Sequence, residues 1–141
     1  MKVDITMPTI TEDYVSFEVV KLLKSKKFHV PTRSHYDGHG GFGFLDICEI
    51  DWNSYKCFRE RRCYSAPTLQ MAMKWLREVH NIVVEPFIQE DVKYVWYIHR
   101  IETMFNKKYL VFCWGSKNNK YERREQAVDA GIKYCLENII K

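Results

Sequence analysis

A chain of 141 residues with 46% apolar and 15% aromatic content has the material for one packed core, which excludes intrinsic disorder. Its 22 Lys and Arg against 18 Asp and Glu leave a formal charge of +4, too mild an excess to mark a nucleic-acid binder by itself. No apolar run is long enough to cross a membrane, residues 1–15 carry acids where a secretory signal needs an apolar stretch, and five irregularly spaced cysteines cannot all pair within the chain, which points to reduced thiols in a cytoplasm.

The first element opens at Thr9-Ile10-Thr11-Glu12, a capping-box pattern in which a threonine hydroxyl accepts from a free amide and Glu12 reaches back. A helix from Glu12 to Ser25 follows, with Val15, Val19 and Leu22 at helical spacing and Lys24, Lys26 and Lys27 near its negative end. Gly38, Gly40, Gly41 and Gly43 predict a hairpin, with its second strand ending near Asp51-Trp52-Asn53-Ser54. Residues 55–64 then supply a basic knot. Ser65-Ala66-Pro67 predicts a helix start, Ser65 serving the free amides and Pro67 standing in the first turn. That helix runs to about His80 on Leu69, Ala72, Met73, Leu76 and Val79, with Asn81 as its C-cap.

Ile82-Val83-Val84 begins a strand that Pro86 confines to an edge or a bulge. Val92, Tyr94, Trp96 and Ile98 alternate as a strand with one buried face. Tyr109 to Trp114, apolar on both faces, suits a central strand covered on each side. A last helix from Tyr121 keeps Val128, Gly131, Ile132, Cys135 and Ile139 in helical period. The expected class is α+β: a single domain with helices packed on one antiparallel sheet, its C-terminal half running α-β-β-β-α.

The one cluster that resembles metal chemistry is His35, Asp37 and His39, with His29 ahead of it. Alternating His, Asp and His on an extended segment could give zinc three ligands, but the glycines break that geometry, so a solvated turn is favoured and no metal or cofactor is assigned. Cys48, Cys57 and Cys63 are spaced too widely for a structural zinc pair and read as small core residues. Asp46, Glu49 and Asp51 read as the wet face of a strand. The chain has no Gly-x-Ser-x-Gly, no phosphate loop and no His-Glu-x-x-His, so no catalytic residue is assigned. A metal- or nucleotide-handling enzyme using His35, Asp37 and His39 stands as the third reading.

Two basic patches, Arg59, Arg61 and Arg62 in the middle and Lys117, Lys120, Arg123 and Arg124 before the last helix, make nucleic acid the second reading. Residues 67–140 resemble the topology of double-stranded-RNA-binding domains. The resemblance implies phosphate contacts at the start of the last helix, where Arg123 and Arg124 stand, although Glu122, Glu125 and the acidic turn at residues 85–91 oppose them. This reading requires the two patches to share a face.

Val15 to Lys24, the segment SAPTLQMAMKWLREVH (Ser65 to His80) and the closing stretch from Tyr121 to Ile140 resemble a group of uncharacterised small proteins encoded by phages and prophages of Bacteroides-type gut bacteria. The resemblance implies a small accessory protein acting in the bacterial cytoplasm by stoichiometric binding. The first reading is therefore a non-enzymatic binding module that engages a host protein or itself, with self-association into a homo-oligomer compatible with it and no membrane partner. Twenty-one Phe, Trp and Tyr residues exceed what a core of this size must hide, so Trp52, Tyr55, Tyr97 and Trp114 are expected to build an aromatic surface.

Overall fold

In the computed structural model, which describes residues 12–54 and 62–141, the first helix α1 (Phe17–Ser25) begins at Phe17 rather than at Glu12. Its N-cap is Ser16, whose hydroxyl accepts from the Val19 amide. Thr9 and Thr11 of the capping-box pattern lie outside the described residues. Residues 13–15 instead run beside residues 67–69: the Val15 amide donates to the Pro67 carbonyl at 3.1 Å and the Leu69 amide to that of Asp13 at 2.9 Å. A distant segment thus satisfies backbone groups that the local pattern assigns to a helix.

Strands β1 (Ser34–Asp37) and β2 (Phe42–Phe44) form the predicted hairpin, with His35 opposite Gly43. The Asp37 carboxylate builds its turn by accepting from the amides of His39 (2.8 Å) and Gly41 (2.9 Å), and Gly40 supplies the positive φ of +86°. β2 ends at Phe44, short of the predicted Asp51, and the chain returns to the sheet only at a bridge between Thr32 and Ile50. Strand β3 (Cys63–Ser65), which the sequence reading leaves within the basic knot and the helix start, pairs antiparallel with β1 and completes a sheet of order β2-β1-β3. Because Ser65 belongs to β3, helix α2 (Leu69–His80) is capped by Thr68, whose hydroxyl accepts from the Met71 amide. α2 buries Leu69, Ala72, Trp75 and Leu76, while Val79, placed in the buried stripe by its spacing, is exposed in the last turn. Asn81 caps the helix in the left-handed conformation, as expected.

Strands β4 (Ile82–Ile88), β5 (Tyr94–Met104) and β6 (Lys107–Gly115) form a second antiparallel sheet of order β4-β5-β6, with Pro86 on an edge strand as predicted. Val92 lies in the β4–β5 turn with φ of 61° rather than in β5. The last helix α3 (Arg124–Tyr134) continues into a π-helical turn, Cys135–Ile139. It starts at Arg124 rather than Tyr121 because Tyr121 is held in a bridge to Tyr94, each amide donating to the other's carbonyl at 2.8 Å. Gly131 lets α3 lie close on the sheet: a Cβ there would stand 2.7 Å from Val84 Cγ1 and 3.2 Å from Trp96 Cγ.

The α+β class and the C-terminal α2-β4-β5-β6-α3 order are as expected, with the strands divided between two three-stranded sheets where one was anticipated. A single core joins Val15, Val19 and Leu23 of the N-terminal part to Leu76, Val84, Trp96, Ile98 and Ile132 of the C-terminal part. No helix among the described residues is long and apolar enough to cross a membrane.

Candidate functional site

β6 departs furthest from its sequence reading. The run Tyr109 to Trp114 was expected in the centre of a sheet, covered on both sides. In the structure β6 is outermost, hydrogen-bonded to β5, and nearly all of its residues are exposed. Leu110 is 61% exposed and Phe112 58%, with Tyr109, Val111 and Trp114 also open to solvent. Apolarity on both faces signals contact on both faces, and among the described residues β6 has it only in part: Cys113 packs against the core and the Trp114 ring lies 6.2 Å from that of Tyr134, while Leu110, Val111 and Phe112 stay open to solvent. Alternate residues of an outermost strand also turn their backbone N–H and C=O groups away from the sheet, which leaves a pairing edge.

The registers place Phe87, Tyr97, His99, Leu110 and Phe112 on the face turned away from α3. Their rings make a row across the three strands: Phe87 to Tyr97 at 5.2 Å, Tyr97 to Phe112 at 5.9 Å and His99 to Phe112 at 5.7 Å between centroids. Gly115, opposite Tyr97, leaves that ring room, since a Cβ would lie 3.0 Å from it. At one end of the strand pair, Phe105 and Asn106 form a two-residue turn with φ of 52° and 62°, and Phe105 is 95% exposed. A bulky residue held in left-handed backbone with its ring in water is strained locally and unused by the core. Near the other end, Ile98 faces Trp114 and His99 faces Phe112, so Cys113 is an extra residue that bulges β6.

The expected aromatic surface is thus partly relocated. Tyr97 and Trp114 belong to this sheet, but Trp52 is buried, stacked on His35 at 4.1 Å with its indole N–H donating to the Thr32 carbonyl, and Tyr55 lies outside the described residues. Of the metal candidates, His35 packs on Trp52 and burial lowers its pKa, Asp37 closes the hairpin turn, and His39 is exposed at the turn. No three His, Cys, Asp or Glu side chains among the described residues cluster as ligands.

Arg59 and Arg61 lie outside the described residues. Arg62 lines a recess with Lys21 and Lys24 of α1. Lys120 is tied to Asp91 at 2.7 Å, a contact that lowers the Asp91 pKa. Lys117 is exposed in the turn after β6, Arg123 precedes α3 with its amide donating to Gln126 Oε1, and Arg124 shares a recess with Glu12, Asp13 and Glu125. Asp46 and Glu49 are exposed in the loop after β2.

Asp51 instead joins a cluster that the sequence reading missed: its Oδ2 lies 3.0 Å from His29 Nδ1 and accepts from the Ser54 hydroxyl at 2.8 Å. The three residue types invite comparison with a hydrolytic triad, but Ser54 Oγ approaches the same Nδ1, at 3.2 Å, and its proton is held by the carboxylate. A nucleophile relay needs hydroxyl and carboxylate on opposite ring nitrogens, so this cluster locks the 51–54 turn to residue 29. Among the cysteines, Cys63 is buried and disulfide-bonded. Cys48 is an exposed free thiol rather than a core residue, Cys57 lies outside the described residues, and burial pushes the Cys135 thiol up to about 12.

No family model, no curated protein and no solved structure matches this chain.

Proposed function

We propose that this protein is a non-enzymatic binding module that pairs with a second copy of itself through β6, the two strands running antiparallel and joining two three-stranded sheets into one of six. The observation that carries this reading is a strand with apolar side chains on both faces that lies exposed at the edge of its sheet. The opposite edge strand, β4, is guarded by Pro86, whereas β6 has only Lys107 and Lys108 at one end and the bulge at Cys113 near the other.

The charge pattern selects the occupant and the direction. Antiparallel pairing about Leu110 sets Lys108 of one copy opposite Phe112 of the other and Leu110 opposite its own counterpart, a self-complementary arrangement with a cation over a ring at each end. Parallel pairing would stack lysine on lysine. Half-exposed aromatic side chains on β6, with Phe105 beside them, offer on the order of 600 Å² per copy, the lower end of what a stable interface of about 1,200–2,000 Å² in total requires. A phage-type accessory protein working by stoichiometric binding needs no more chemistry than this.

The test is sedimentation velocity over a wide concentration range, with the wild-type protein, Leu110→Lys and Phe112→Lys. Both positions are exposed in the monomer, so both variants should fold with an unchanged circular dichroism spectrum. The wild type is expected to be a reversible dimer and each variant a monomer. A wild type that stays monomeric at every concentration, or variants that dimerise as tightly as the wild type, would overturn the reading.

A further inference from the structure

We propose that the recess between α1 and β3, lined by Lys21, Lys24 and Arg62, is a binding site for a phosphate group. The recess measures about 340 Å³, and Ser25 and Tyr64 complete its lining. Three cations therefore converge on one concavity whose described lining holds no carboxylate.

Four lysines elsewhere in the described residues hold carboxylate partners. Lys133 is paired with Glu18 at 3.0 Å, Lys120 with Asp91 at 2.7 Å, Lys93 with Glu122 at 3.5 Å and Lys74 with Glu78 at 3.9 Å. The one carboxylate near Lys21 on its own helix, Glu18, is drawn to Lys133. Neither Lys21 nor Arg62 has an ion-pair partner among the described residues.

Two of the cations are also held in place. Lys21 Nζ sits 4.4 Å from the centroid of Phe17, and Lys24 Nζ sits 5.1 Å from that of Tyr64 while donating to the Cys63 carbonyl at 3.1 Å. Fixing the ammonium groups on rings reduces the entropy that an incoming anion would otherwise have to remove, and it leaves their remaining N–H donors unspent. Arg62 contributes a planar fork that matches two oxygens of one phosphate. A doubly charged oxyanion would relieve the mutual repulsion of the three cations, which nothing in the described lining offsets. The Ser25 hydroxyl already donates to the Leu22 carbonyl at 2.6 Å, so the donors to the anion come from the three basic side chains.

A phosphate group could arrive free or within a polynucleotide backbone, and two probes separate these sources. Isotope-labelled protein is titrated with sodium pyrophosphate at low ionic strength, and separately a fluorescent single-stranded oligonucleotide is followed by anisotropy. Pyrophosphate should shift the amide signals of Ser25, Arg62 and Tyr64, and Lys21→Glu and Arg62→Glu should each weaken binding about tenfold or more, which is about 1.4 kcal/mol. If the oligonucleotide binds and loses affinity in the same variants while pyrophosphate does not bind, the ligand is a phosphodiester backbone and the site stands. Absence of binding with both probes, or variants that bind as the wild type does, would overturn it. Both substituted side chains are exposed and lie outside β6, on α1 and just before β3, so the outcome does not depend on self-association through β6.

Discussion

Asp129 shows how one side chain joins the two halves of this molecule. It sits on α3, yet its carboxylate accepts from the Ser16 amide at 2.8 Å and so serves the start of α1, while Lys133 one turn on holds Glu18. Burial raises the Asp129 pKa above its usual 3.8, against the hydrogen bonds from Ser16. A raised carboxylate pKa means the folded state holds the proton more tightly than the unfolded one. The stability that Asp129 contributes therefore falls as pH rises from 3.8 through the folded value. Asp129→Asn keeps an acceptor for Ser16 without the buried charge, so its denaturation midpoint should gain on that of the wild type as pH rises through this window. Asp129→Ala removes the acceptor and should cost about 1–2 kcal/mol at neutral pH. Gly131 makes the complementary case: alanine is the better helix former, but its methyl would press on Val84 and Trp96. Gly131→Ala should therefore lower stability by about 1–3 kcal/mol, measured by urea unfolding.

Among the elements, the turns carry the strain. Val92 lies in left-handed backbone between β4 and β5, with its amide donating to the Gln89 carbonyl at 2.9 Å and its side chain in solvent. A β-branched residue there works against its own backbone preference, so Val92→Gly should stabilise the protein by about 1 kcal/mol, read as a higher midpoint in thermal unfolding. The glycine-rich hairpin, the Asn81 cap and the edge position of Pro86 could all be read from local chemistry, because a positive φ, an αL cap and a missing donor constrain the chain wherever they occur. The beginnings of α1 and α2 could not. Ser16 and Thr68 won over earlier cap candidates because residues 13–15 and 63–65 were taken up by backbone pairing with remote segments.

For the whole molecule, the exposed edge and the cationic recess belong to different sheets and can act independently. The proposed β6 pairing would couple folding to concentration: the thermal midpoint of the wild type should rise as protein concentration rises, and that dependence should vanish in Leu110→Lys. Differential scanning calorimetry at several concentrations measures this directly, and a concentration-independent wild-type midpoint would count against pairing.

Residue order by itself determined the α+β class, the C-terminal α2-β4-β5-β6-α3 succession and the hairpin, since each rests on periodicity or turn chemistry within a few neighbouring residues. Only the tertiary structure decided that Tyr109–Trp114 lies at a sheet edge, that Trp52 is buried and that Arg62 stands beside Lys21 and Lys24. Side-chain polarity records which faces seek contact, but which strand ends up outermost, and which distant cations meet, depends on how layers stack and on long-range pairing that no local pattern encodes.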